Sequence, residues 1–367
     1  MKKICIITLI LSFMFRGTCS SQSSLEGRNL VKLESTNSVV VIDLGGGAMV
    51  DFHLKGQNLN PLSWNHPEKG DTAPREMGHF ICLDRWGAGS KSEIANGMPW
   101  HGEASKSNWD VIVKPSNKNG KIFSEISCDL IMAGINVKRA LALDENESVV
   151  HVTESITNVN KLGRVYNIVQ HATFGPPFLD ESTVFDTKVQ KGFAQGGKMP
   201  NPEEPVFYWP KVVFDGKLID LRSLSAENHG PGVISFVVDN DDEYGWATAC
   251  NASKELMIGY IWKISDYPWL NMWRNIQNGK PFSFGFEFGS TGLHQPYPVL
   301  IRKGTIFDRP LFEYIDSGET IEKSYTNFLT KIPGDYKGVA EIQVKDGSIL
   351  IKEYGDDSSR NIAIKIR

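Results

Sequence analysis

The 367-residue sequence has few cysteines, no block of basic residues, no helical apolar stripe that persists for three turns and, beyond its first two dozen positions, no long apolar run. Of the five cysteines, only Cys82, Cys128 and Cys250 lie outside the N-terminal stretch. They form an odd, irregularly spaced set without a C-x-x-C pair, which argues against a disulfide framework and a zinc site and makes buried free thiols the expected state. Lys plus Arg number 39 against 43 Asp plus Glu, for a formal charge of -4 with both signs dispersed. A chain without a cationic patch has nothing to neutralise a run of phosphates, so nucleic acid is not an expected partner. No later segment reaches the 18 or so apolar residues that a membrane span needs, so no span is expected in the mature chain. Three consecutive glycines, Gly45 to Gly47, lack the G-x-G-x-x-G or Walker spacing and precede no helical pattern, so they read as a tight turn and not as a phosphate cradle. No repeat and no low-complexity segment is present.

What is present begins with an export-like leader over residues 1–21. Lys2 and Lys3 supply a basic start, an apolar stretch runs from Ile4 to Phe15, and small residues follow near Gly17 to Ser21. Cys19 stands where a lipid-attachment cysteine would stand, but Arg16 occupies the place three before it where such sites carry an aliphatic residue. The expected location is therefore periplasmic or extracellular. After residue 24 the pattern is of short strands broken by turn chemistry: Val39 to Asp43, Met49 to Leu54, Trp109 to Val113, Ile122 to Ile131, Val149 to Thr157, Val233 to Val238, Leu256 to Trp262 and Phe282 to Phe288. Many strands at such spacing predict an all-β sandwich. Two stretches, Asn58 to Pro99 and Gly175 to Pro210, carry little strand signal and are expected to be ordered loops that shape a cleft. Asp346-Gly347 between two alternating runs is a type I′ hairpin signature, so residues 336–367 read as strands added to a main body over 22–335.

Chemistry-bearing residues sit in distinctive places. His101 lies in Gly97-Met-Pro-Trp-His-Gly-Glu-Ala104, ahead of Trp109. His171 lies in Gln170-His-Ala-Thr-Phe-Gly-Pro-Pro-Phe178, at the expected junction of a strand and a rigid loop. Glu287 is embedded in Phe284-Gly-Phe-Glu-Phe-Gly289, where a carboxylate surrounded by apolar residues needs a partner. Trp100, Trp109, Trp262, Trp269 and Trp273 are candidate flat faces for a binding cleft, of which Trp100 and Trp269 are the chosen cleft members. His101 and Glu103, two apart, could share a strand face as metal ligands, but no third ligand is evident.

These segments, together with Leu44-Gly-Gly-Gly-Ala-Met-Val50 and Gly56-Gln-Asn-Leu-Asn-Pro-Leu-Ser-Trp64, resemble the aldose 1-epimerase (galactose mutarotase) family in order and spacing from about Ser38 to Pro333. The resemblance implies a large antiparallel two-sheet supersandwich with a cleft on one sheet, a carbohydrate ligand and no cofactor. It further implies Glu287 as base, His171 as acid and His101 as a hydrogen-bond donor to the sugar. Ala172 departs from the Pro found after this histidine in many relatives. The aspartate that binds sugar hydroxyls in galactose-specific members has no assured counterpart; Asp266, in Asp-Tyr-Pro-Trp-Leu-Asn-Met-Trp273, is the candidate, and Arg85 is a further residue expected to reach the cleft. A carbohydrate-binding protein of the same fold without activity is the alternative.

Overall fold

A computed structural model describes residues 25–65, 72–238 and 242–366; the leader and Cys19 lie outside the described residues. The strand period of two organises the smaller of two large sheets. In Lys121–Leu130, Ile135–Asp144 and Val149–Asn158 every second side chain is buried, which gives each strand one inward and one outward face. They join Asp110–Lys118, Thr320–Lys331, Leu256–Lys263, Tyr244–Asn251 and Thr183–Thr187 in an eight-stranded antiparallel sheet.

The larger, eleven-stranded sheet runs from Leu30–Glu34 through Ser38–Asp43, Ala48–Leu54, His79–Asp84, Arg164–Phe174, Lys280–Gly289, Trp269–Gln277, Val233–Val238 and Val189–Ala194 to Phe207–Tyr208, with Glu313–Ile315 pairing onto the start of Arg164–Phe174. Its inner face packs Val40, Ile81, Leu83, Ile168, Leu270 and Phe286 against Ile126, Val137, Leu141, Val150 and Ile258 of the smaller sheet. The fold is therefore an all-β, two-sheet antiparallel supersandwich. A polar network is enclosed between the sheets. Arg139 Nε donates to Glu154 Oε1 at 3.1 Å, and Gln170 Nε2 and Tyr267 Oη donate to Glu154 Oε2 at 2.7 and 3.1 Å. Each of these buried groups is thus matched, as the low-dielectric interior demands.

The two stretches expected to be loops contain regular structure. His79–Asp84 is a central strand buried on both faces, so it shows no alternation to read, and the short helix Lys91–Ala95 follows it. Thr183–Thr187, Val189–Ala194 and Phe207–Tyr208 lie within the second stretch. Gly46 and Gly47 turn with φ of 124° and 66°, and a Cβ on Gly47 would lie 2.4 Å from the Trp109 indole, so the triplet serves close approach. Asp346 and Gly347 take φ of 52° and 70°, as a type I′ turn requires. The strands they join, Val339–Lys345 and Ser348–Glu353, form a separate three-stranded sheet with Ile362–Lys365. This sheet lays Ile342, Ile349, Ile351 and Ile364 on Trp246, Met257, Ile261 and Phe328, which project from the outer face of the eight-stranded sheet. Cys82, Cys128 and Cys250 are buried free thiols.

Candidate active site

The site grows from one row of residues across the larger sheet. Phe80 pairs with His171, His171 with Glu287, Glu287 with Asn271 and Asn271 with Ser235, on five adjacent strands. Directly opposed residues of an antiparallel pair have Cβ atoms about 4.5–5.5 Å apart on the same face. The pairing register alone therefore brings a histidine against a glutamate. His171 Nε2 lies 3.1 Å from Glu287 Oε1, both side chains nearly buried. The strand continues through His171 to Phe174, so the residue sits in the body of the sheet and not at the strand–loop junction expected from the sequence. Its neighbours alternate: Gln170 turns inward to the Glu154 network, whereas His171 and Thr173 face outward.

Both members of the pair are held from other directions. Thr173 Oγ1 lies 2.8 Å from His171 Nδ1, and Phe80 stacks on the imidazole at 4.2 Å between centroids. Trp86 Nε1 donates to Glu287 Oε2 at 2.7 Å. Gly285 leaves room beside the pair, because a Cβ there would lie 3.3 Å from His171 Cε1 and 3.5 Å from Glu287 Oε1.

His101 approaches from a turn with φ of 64°, in which its backbone N–H donates to Gly87 O at 3.0 Å and its Nδ1 accepts from Gly87 N–H at 2.9 Å. An Nδ1 that accepts carries no proton, so in the neutral ring the hydrogen is on Nε2. Burial, with the nearby His171 and His294 imidazoles, pushes the His101 pKa well below the usual histidine range and keeps that neutral tautomer. His101 is thus a fixed donor 5.8 Å, ring to ring, from His171.

The cleft above this row measures about 310 Å³ and is lined by Trp64, Glu76, Phe80, Trp86, Trp100, His101, His171, Val233, Trp273, Glu287 and His294. Roomier hollows lie on the C-terminal sheet and between it and the eight-stranded sheet, but the histidine–glutamate pair is in this cleft. Trp100, half exposed, meets His101 edge to face at its mouth.

His101, His171, Glu287 and Trp100 are brought together; three other residues chosen from sequence are not. Arg85 is tied at 2.8 Å to Asp84 and at 2.9 Å to Glu93, where it anchors the helix ahead of His101 instead of facing the cleft. Trp269 is wholly buried among Phe193, Leu293 and Leu300, its Nε1 donating to Pro310 O. Asp266 accepts from Ser324 N–H, beside the central strand Thr320–Lys331 of the smaller sheet and just past the end of Leu256–Lys263. Glu103 accepts from the backbone N–H groups of Met132 and Ala133, so it does not share a ligand face with His101. Trp64, Glu76, Trp86 and His294 were not selected from sequence, and Trp273 was passed over for Trp269. Trp269 and Trp273 share the outer face of one strand; Trp273, opposite Gly285, lies beside the pair, whereas Trp269, opposite Gly289, is covered by Leu293, Tyr297 and Leu300.

No family model matches the sequence, and no curated protein matches it. Solved structures do. A putative aldose 1-epimerase from Escherichia coli K12 superposes with a TM-score of 0.58 at 13% identity over 83% of this chain and 100% of that one. A galactose mutarotase related enzyme from Lactobacillus acidophilus gives 0.59 at 12% identity over 83% and 98%. A galactose mutarotase-like protein from Clostridium acetobutylicum gives 0.60 at 15% identity over 83% and 96%. The chain has the galactose mutarotase-like fold. At these identities the likeness fixes architecture, and what the cleft does has to be argued from its own residues.

Proposed function

We propose that the protein is an exported aldose 1-epimerase-like enzyme that interconverts the anomers of a sugar by acid–base ring opening. The observation that carries this reading is the 3.1 Å contact of His171 Nε2 with Glu287 Oε1 in a tryptophan-lined cleft. The hydroxyl oxygen and the ring oxygen of a cyclic aldose are bonded to the same anomeric carbon. A base for one and an acid for the other must therefore be close neighbours, which opposed residues on adjacent strands are.

Glu287 takes the proton of the anomeric hydroxyl, and the O–H electrons form the carbonyl as the bond from the anomeric carbon to the ring oxygen breaks. The ring oxygen takes a proton from His171 Nε2. Rotation about the bond to the next carbon presents the other carbonyl face, and the same two transfers in reverse close the ring and restore both groups. His101 Nε2–H donates to a sugar oxygen and orients it, Trp86 holds the Glu287 carboxylate, and the indoles of Trp64, Trp100 and Trp273 pack on C–H faces of the pyranose. The sequence of steps needs no redox partner. Export rests on the leader-like residues 1–21 and is tested by N-terminal sequencing of protein from fractionated cells.

Polarimetry of freshly dissolved α-anomers of common aldoses tests the activity. Purified protein is expected to speed the approach to the equilibrium rotation for at least one of them. No acceleration with any aldose, together with sugar binding, would replace the proposal by that of a carbohydrate-binding protein of the same fold.

A further inference from the structure

Once the acid–base pair, His101 and the indoles have their roles, two polar side chains of the cleft are left over: Glu76 and His294. Both are held in place by contacts outside the reacting centre. Glu76 Oε1 lies 3.0 Å from Lys106 Nζ, on the short helix Ala104–Lys106 that follows His101. His294 sits on the loop after the glutamate strand; its backbone N–H donates to Gln195 Oε1 at 3.0 Å, and Gln195 Nε2 is tied to Ser235 Oγ at 2.6 Å and to Gly292 O at 2.8 Å. The imidazole is wedged edge to face against Trp86 at 4.6 Å and Trp100 at 5.0 Å. Gly87 makes room for it, since a Cβ there would lie 2.4 Å from His294 Nε2.

Among the described residues no side chain or backbone group hydrogen-bonds the His294 ring. Burial, outweighing the opposing pull of Glu287, lowers its pKa from the ordinary value and favours the neutral ring. A neutral imidazole offers one donor and one acceptor, and a carboxylate offers acceptors, which together match hydroxyls able to play either part. The charge in the cleft points the same way. Glu76 and Glu287 are both acidic, no Lys or Arg is among the residues that line the cleft, and Lys106 is already committed to Glu76. A phosphate or uronate group would meet repulsion there.

We infer that Glu76 and His294 are specificity-determining residues that bind sugar hydroxyls away from the anomeric carbon, and that they select a neutral aldose over a phosphorylated or acidic one. This rests on the epimerase reading for the placement of the anomeric carbon at Glu287 and His171. A site that hydrogen-bonds particular hydroxyls rejects epimers that leave its polar groups unpaired.

The test is titration of wild type, Glu76→Gln and His294→Phe with a panel of epimeric aldoses and their 6-phosphates, followed by intrinsic tryptophan fluorescence, alongside anomer-exchange kinetics on the same samples. Glu76→Gln keeps side-chain size and His294→Phe keeps a planar ring without its nitrogens, and thermal melts check that each variant is folded. Each variant is expected to lose about tenfold or more in affinity for the preferred aldose, the loss of a hydrogen bond to a charged or buried group, and to narrow the preference among epimers. The effect is expected in KM far more than in kcat, and Glu76→Gln is expected to weaken the rejection of sugar phosphates. Variants that bind and discriminate as the wild type does, or a wild type that prefers the phosphates, overturn the inference and leave the epimerase reading standing. Aldose binding that depends on both residues without any turnover supports the inference and removes the epimerase reading; failure of the wild type to bind any aldose removes both.

Discussion

A hydrogen bond of 2.9 Å from the Gly87 amide decides what His101 can do, because it fixes which nitrogen faces the cleft with a proton. Burial then keeps that ring uncharged, and it does the same for His79, which lies between the sheets with its Nε2 3.3 Å from Gln170 Oε1. The consequence for stability has a definite sign. Both imidazoles have pKa values well below 6.5 in the folded protein, so as pH falls through about 6.5 the unfolded chain binds protons that the folded chain refuses. Denaturant unfolding is therefore expected to show a loss of about 1 kcal/mol per pH unit per buried histidine below about pH 6.5, an effect that fades by about pH 7.5. Stability that rises on going from pH 7 to pH 5.5 would contradict the neutral assignments. At this scale the sequence made His101, His171 and Glu287 legible, since a carboxylate inside an apolar strand and histidines beside Gly and Pro are locally odd. Arg85, Asp266 and Trp269 misled because their surroundings depend on partners that the fold supplies: Glu93 for Arg85, Ser324 for Asp266 and Pro310, with the side chains that cover it, for Trp269. His294 carried no local signal, as its place in the cleft follows from the packing of its loop on Trp86 and Gly87.

Strands hold the acid–base pair of this site, and loops bring Trp86, His101 and His294 over it. Five neighbouring strands each place one residue in the row from Phe80 to Ser235, and the register that buries Phe286 and Phe288 in the core is the one that turns Glu287 outward. In the smaller sheet, the strands read as Ile122 to Ile131, Val149 to Thr157 and Leu256 to Trp262 match to within a residue, whereas Trp109 to Val113 stops short of Lys118 and Ile135–Asp144, Tyr244–Asn251 and Thr183–Thr187 were not read as strands. Nor was His79–Asp84, because a strand covered on both faces loses the period that marks it. The C-terminal hairpin was readable from its Asp-Gly turn, whereas its partner surface on the eight-stranded sheet depends on side chains such as Trp246 and Phe328 whose facing the sequence does not announce. Ile351 sits in that interface with 1% of its surface exposed. Ile351→Ala is expected to cost about 2–5 kcal/mol of unfolding free energy while leaving the activity of the folded protein unchanged. A loss below about 0.5 kcal/mol would mean that the C-terminal sheet contributes little to the body it covers.

At the scale of the molecule, two sheets enclose a core whose centre is partly polar, with Gln170 bonded inward to Glu154 and the adjacent His171 bonded outward to Glu287. One strand thus ties the interior network to the cleft, and the rigid sheet holds acid and base in register. The all-β class and the supersandwich were legible from strand count, turn chemistry and motif order; the convergence of residues from positions as far apart as His101 and His294 required the fold. The central claim is that His171 and Glu287 together open and close a sugar ring. The measurement that tests it most directly is two-dimensional exchange NMR on an equilibrated aldose labelled with carbon-13 at the anomeric position, with wild type, Glu287→Gln and His171→Asn compared at equal concentration. Exchange between the α and β signals is expected with the wild type and is expected to fall to the protein-free rate with either variant, both remaining folded. Exchange that persists at the wild-type rate in Glu287→Gln would contradict the account.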